Sequence, residues 1–338
     1  MKKKVLLILK FAFFIGIGIF FIWWFQRKLT PIEKQEISNS FQSANYFWAL
    51  LAIIPGIFSH LSRSMRWQML LKPMGYEPKL KTTFAAIMVG YLANLAFPRL
   101  GEVMRCGILN KYEKIPISKS FGTVITERTI DMLMFFILFV LALVLEFHNL
   151  KDYVYNNFWV KFADRFNNFN VTNFLFIFVL TTIAIIVILF FIFKKRITSS
   201  NIYLKIMVLL VGFLEGLKSL SKVEKPFVFV FHSLFIWLNY FLMVWLMFLC
   251  FDQTSWLGFN VVLSALVMGS IGIMIVPGGI GIYPVIISQT LMIFTIPKTI
   301  GYAMGWISWS SQTLLVIILG IIALIVLPLI KKQTDATT

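Results

Sequence analysis

The chain has 338 residues, 59% of them hydrophobic and 13% charged, with a mean hydropathy of +0.86 and a formal net charge of +17. Apolar runs extend from residue 5 to residue 330, which excludes a soluble globular domain and predicts an all-α, polytopic integral membrane protein. The basic residues fall in short clusters between these runs rather than on one aromatic-interleaved face, which excludes a nucleic-acid partner and directs the charge to membrane topology and anionic lipid.

In chain order, three lysines precede an apolar run ending at Trp23, Trp24 and Phe25, as in a retained first helix with a cytoplasmic N-terminus. Residues 26–45 read as an outer loop. The segment from Tyr46 to about Leu61 returns inward and meets Arg63, Arg66 and Trp67. The two arginines are spaced i, i+3 on one helix face beside the indole, so the expectation is an interfacial anchor or a lipid-headgroup contact. Residues 83–97 are too few for a comfortable span and are basic on both sides, which predicts a re-entrant or broken helix. Pro98 suits the first position of a restarted helix. Asn94 then precedes the break, and Arg99, Glu102 and Arg105 follow it as one polar stripe beside open amides that favour anions.

The next helix, from Ser118 to about Phe147, carries Glu127, Arg128 and Asp131. Glu127 and Asp131 are i, i+4, so two acids share one face with an arginine beside them, and this face is expected to meet the 99–105 stripe. Ionisable groups at membrane depth are costly and flag function by default. The alternative is purely structural neutralisation of the arginines by Glu102. Residues 148–171 read as outside and 173–193 as a crossing closed by Lys194, Lys195 and Arg196; residues 201–222 read as an amphipathic helix on the membrane surface.

Pro226 to Cys250 reads as an outward span and Trp256 to Val276 as its return. PGGIGIYP, residues 277–284, is a second break, in which Gly278, Gly279 and Gly281 allow backbone amides to face a cavity or ligand. Gly301 to Ile330 completes the set, and Lys331 and Lys332 place the C-terminus in the cytoplasm. The whole is one membrane domain, 1–332, with about 7–9 transmembrane helices, one or two of them re-entrant or broken, and a short cytoplasmic tail, 333–338. Interrupted segments in both halves point to a midplane site, as in secondary transporters. Cys106 and Cys250 have no local partner, the histidines lack metal-ligand spacing and no P-loop is present, so no metal or other cofactor is implied.

The motifs RxxRW from Arg63 to Trp67, NxxxPRxGExxR from Asn94 to Arg105, ERxxD from Glu127 to Asp131 and PGGIG from Pro277 to Gly281 follow one another along the chain. By these the chain resembles the transmembrane flippase domain family of lysylphosphatidylglycerol synthases. The resemblance implies a domain that moves an aminoacylated phospholipid between leaflets, here without the soluble aminoacyl-transferase domain. Many relatives carry an acidic residue just after PGGIG, where this chain has Tyr283 and Pro284.

The leading functional expectation is a lipid translocase of a bacterial cytoplasmic membrane, handling a phosphate-bearing, aminoacylated or isoprenoid, lipid headgroup. In it Arg99, Arg105 and Arg128 hold the phosphate, while Glu102, Glu127 and Asp131 balance charge or receive a cationic group. It is expected not to be an enzyme. The runner-up is a membrane-embedded glycosyl-transfer or lipid-modifying enzyme using a lipid-phosphate donor, and a third reading is a non-transporting assembly subunit. Membrane lipids are the expected partners, with a homodimer left open.

Overall fold

A computed structural model describes residues 16–97, 99–146 and 223–335. These residues are helical throughout, with no strand among them: α1 (16–27), α2 (Pro31–Ser43), α3 (Tyr46–Leu51), α4 (Ile53–Leu71), α5 (Leu80–Ala96), α6 (Leu100–Glu113), α7 (Ile117–Leu145), α8 (Pro226–Phe248), α9 (Asp252–Ser255), α10 (Phe259–Ile275), α11 (Ile282–Met292) and α12 (Lys298–Asp335). Three helices, α7, α8 and α12, are long and apolar enough to cross a membrane by themselves. A fourth crossing arises if α2 and the segment Tyr46–Met74, bent by 66° at their junction, act as one broken span. The expected crossing at 173–193, the amphipathic helix at 201–222 and the N-terminal part of the first helix lie outside the described residues.

The segment read as an outer loop is helical. Thr30 and Glu33 form a capping box, in which the Thr30 hydroxyl accepts from the Glu33 N–H and the Glu33 carboxylate accepts from the Thr30 N–H, with Pro31 at the first helical position. The TPIE sequence carried that signal.

Residues 80–113 form an antiparallel hairpin. At its tip the Gly101 N–H donates to Asn94 Oδ1 (2.7 Å), and at its open end the Lys79 N–H donates to Glu113 Oε1 (3.3 Å). Gly90 and Gly101 let the two backbones touch, since a Cβ on Gly101 would strike the Gly90 carbonyl oxygen and the Asn94 amide. The restart differs from expectation. Pro98 lies outside the described residues, and α6 begins at Leu100, with Arg99 as its N-cap in the left-handed region (φ 66°). At about 1.5 Å per residue, α5 is about 25 Å long and α6 about 21 Å, each short of a bilayer core of about 30 Å, as befits a re-entrant pair.

Helices α10 and α11 make a second hairpin around Pro277–Gly279. Gly269 gives way to the Tyr283 ring and Gly272 to Ile286. Helix α12 seats against α11 through Gly301 and Gly305, where a Cβ would approach Ser288 Cα to 2.9 Å and Pro284 Cα to 2.6 Å. Lipid tails are as apolar as leucine, so close van der Waals approach of this small-xxx-small kind supplies the adhesion that water supplies elsewhere.

The two hairpins open toward opposite ends of the bundle. Around the open end of α5 and α6 lie Lys72, paired with Glu224 at 3.2 Å, and Lys111, Lys114, Lys119 and Lys225. Around the open end of α10 and α11 lie Asn260, which donates to Glu146, and Lys298, paired with Glu33 at 2.6 Å. The tips meet inside the bundle: Leu95 Cδ2 is 3.7 Å from where a Gly278 Cβ would stand.

A buried ion cluster as the candidate functional site

The clustered charges sit on three helices, and a fourth adds hydroxyls. From α4 come Arg63 and Arg66, from α6 Arg105, from α7 Glu127 and Asp131, and from α8 the hydroxyls of Ser233 and Tyr240. Arg63 Nη1 donates to Glu127 Oε1 (2.6 Å) and Asp131 Oδ2 (2.5 Å), and its Nη2 donates to the Tyr240 hydroxyl (3.2 Å). Arg66 Nη2 donates to Asp131 Oδ1 (2.6 Å) and lies 3.8 Å from Glu127 Oε1, while its Nη1 donates to Ser233 Oγ (3.1 Å). Arg105 Nη2 stands 3.0 Å from Glu127 Oε2. Arg63, Arg66, Arg105 and Glu127 are all buried, and the Asp131 side chain is 12% exposed.

Along the helices, Arg63 lies about 12 Å from the Leu71 end of α4 and Glu127 about 15 Å from the Ile117 end of α7, so the cluster lies well inside the bundle, nearer its basic end. Charges at such depth require partners, because desolvating each ion costs several kcal/mol unless opposite charge and hydrogen bonds replace the lost water.

This corrects the expectation for Arg63, Arg66 and Trp67. They are buried within the helix bundle rather than exposed on its surface. Nothing breaks α4 before Pro73 and Gly75, so the helix carries them inward, and the α7 carboxylates make burial tolerable. Trp67 is fully buried, donates its Nε1–H to Thr123 Oγ1 (2.8 Å) and lies under the Arg105 guanidinium at 4.7 Å.

The 99–105 stripe meets α7 as expected but divides its contacts. Arg105 reaches Glu127, whereas Glu102 pairs with Arg128 Nη2 at 3.0 Å in a partly exposed satellite. Asp131 faces α4 instead of the stripe. Arg99 is exposed at the hairpin tip and stands apart from the cluster. Asn94 has its oxygen occupied by the Gly101 N–H, so its evident task is to close the hairpin. Gly278, Gly279 and Gly281 all take left-handed backbone (φ 73°, 69° and 73°), which glycine alone adopts at no steric cost. Each is in contact with other parts of the protein. The Gly279 N–H donates to the Val276 carbonyl (2.7 Å), the Gly278 carbonyl accepts from Trp309 Nε1–H (2.6 Å), and a Cβ on Gly281 would strike the Gly18 carbonyl of α1.

Tyr91, His60, Ser233 and Tyr240 were not legible as site residues. The Tyr91 ring lies tilted against His60 (centroids 5.3 Å apart) beside the cluster, and Ser233 and Tyr240 are isolated hydroxyls in an aromatic helix.

No solved structure matches the chain. It is 24% identical to the UPF0104 membrane protein of Methanocaldococcus jannaschii, over 99% of this chain and 96% of that protein. A UPF0104 membrane protein of Methanothermobacter thermautotrophicus is 25% identical over 33% of this chain and 34% of its own length. The glycosyltransferase AglD of Haloferax volcanii is 26% identical over 30% of this chain and 16% of its own length. The family described as "Lysylphosphatidylglycerol synthase TM region" matches residues 7–320, nearly the whole of the helical membrane chain just described, and the protein belongs to that family.

Proposed function

We propose that this protein is a lipid translocase that passes a phosphate-bearing headgroup through the α4–α6–α7–α8 cluster while the acyl chains stay in the bilayer. The observation that carries this reading is the arginine-rich cluster itself, set beside a hairpin whose tip lies inside the bundle. Three guanidiniums offer planar forks matched to phosphate oxygens, in surroundings where water does not compete. The excess of Lys over acidic residues at the Lys72–Lys225 end supports a cytoplasmic location for that end, in keeping with the cytoplasmic termini expected from the sequence.

The test is reconstitution in liposomes with labelled phospholipids and an outer-leaflet quencher. Expected is loss of inner-leaflet signal that disappears in Arg63→Ala and Arg66→Ala. If the wild-type protein moves no anionic, aminoacylated or isoprenoid lipid, the reading fails. The partial similarity to a glycosyltransferase favours a second reading, a membrane module serving sugar transfer from a lipid phosphate. Against it, both buried carboxylates are held by arginines and so are poor bases. A sugar product from polyprenyl-phosphate sugars that is lost in Glu102→Gln would reverse the order.

A further inference from the structure

The buried cluster does not balance. Arg63, Arg66 and Arg105 face Glu127 and Asp131, and the neighbouring Arg128 and Glu102 cancel each other. Arginine does not deprotonate, and protonating either acid would only raise the excess. Among the described residues the cluster therefore holds one surplus positive charge.

The surplus has an address. Arg63 and Arg66 spend both Nη atoms on hydrogen bonds, whereas Arg105, 2% exposed, has Glu127 Oε2 at 3.0 Å from its Nη2 and no partner for its Nη1 or Nε. Its guanidinium lies over Trp67 and is ion-paired on one side only, with Glu127. A buried fork with Nη1 and Nε open has donors left for a further acceptor. No surplus carboxylate stands ready for a cation: Glu127 and Asp131 each touch more than one arginine, and the open Oε2 of Glu102 belongs to a group already neutralised by Arg128. Between the second hairpin and α12 the polar groups are neutral, with the Tyr283 hydroxyl on Ser308, Gln312 on Ser308 and Trp309 on the Gly278 carbonyl.

From this we infer that the site takes a lipid phosphodiester of net charge −1, seated on Arg105, and discriminates against headgroups that carry amines. The inference rests on the translocase reading of the same site but concerns charge selection, which binding can test without transport. A phosphodiester brings one negative charge and completes the cluster; a zwitterionic headgroup leaves the excess in place; an aminoacylated headgroup of net +1 doubles it.

The experiment is lipid binding to the purified full chain in neutral detergent, by native mass spectrometry and by thermal shift. The probes are phosphatidylglycerol, phosphatidylethanolamine, lysyl-phosphatidylglycerol and the acyl-free glycerophosphoglycerol. Expected is phosphatidylglycerol bound at least tenfold more tightly than lysyl-phosphatidylglycerol, with phosphatidylethanolamine between them and glycerophosphoglycerol far weaker. In Arg105→Gln the preference should collapse to under threefold. That variant leaves Arg63 and Arg66 against Glu127 and Asp131, a balanced set that should fold. Should it not, the ranking of lipids on the unmodified protein decides alone. Equal or tighter binding of lysyl-phosphatidylglycerol, an unchanged preference in folded Arg105→Gln, or equal binding of the acyl-free headgroup overturns the inference. The predicted ranking without any lipid movement in liposomes would support charge selection and sink the translocase reading alone.

Discussion

Replacing Glu127 by Gln removes the carboxylate that touches all three buried arginines. Its oxygens lie 2.6 Å from Arg63, 3.0 Å from Arg105 and 3.8 Å from Arg66, and without its charge Asp131 alone opposes three guanidiniums. Unit charges 3 Å apart at an effective dielectric near 20 attract by about 5.5 kcal/mol, and most of that offsets desolvation in the intact protein. Deleting one partner leaves the desolvation of the others uncompensated, which costs about 3–5 kcal/mol. That is a large fraction of a stability of about 5–15 kcal/mol. At about 2–4 °C per kcal/mol, the unfolding midpoint should fall by roughly 10 °C, readable from tryptophan fluorescence of the detergent-purified protein. The double variant Glu127→Gln, Arg105→Gln returns the cluster to the surplus of the parent protein and should recover at least half of the loss. A single variant within about 1 °C of the parent, or a double variant less stable than the single one, would refute the electrostatic account.

Three further outcomes follow from the hairpins. Gly101→Ala drives a methyl into the Gly90 carbonyl and the Asn94 side chain and should cost about 1–3 kcal/mol by thermal unfolding, whereas Gly107→Ala on the same helix, where a Cβ meets nothing, should be neutral or stabilising. Asn94→Ala leaves the Gly101 N–H unpaired at the tip and should cost about 1–3 kcal/mol, with trypsin cutting faster near Arg99 as the tip loosens. Joining Leu95→Cys to Gly278→Cys with a short thiol cross-linker ties the two tips and should abolish lipid movement reversibly; transport that survives complete cross-linking would show that the tips need not part.

How much of this was legible depends on what local sequence encodes. The break before Arg99 and the PGGIG turn could be read because proline, glycine and short apolar length are local facts, and both segments became hairpins. The Thr30 capping box was equally local and marked a helix in what read as a loop. Partner choice was not legible. Spacing on α7 put Glu127 and Asp131 on one face, but which arginines that face would meet depends on how α4 and α6 pack around it. The positive-inside rule drew Arg63 and Arg66 to the interface because it counts charges without knowing whether an acid waits inside the bundle.

That exception bears on orientation and mechanism together. Two arginines that would normally mark a cytoplasmic boundary are instead buried in the bundle against acids on another helix, so their burial depends on the docking of α4 on α7. The cluster therefore couples assembly of the bundle to formation of the site. The two hairpins then divide the work by chemistry. The α5–α6 hairpin brings charge in the form of Arg105, while the α10–α11 hairpin brings tight, uncharged backbone turns sealed by Trp309 and by the Gly18–Gly281 contact. Under the proposed translocase function, a headgroup leaving Arg105 would meet a wall with no charge to hold it. Such asymmetry would let an anion be bound on one side of the hairpin tips and released on the other, whereas a second set of arginines would turn a pathway into a trap.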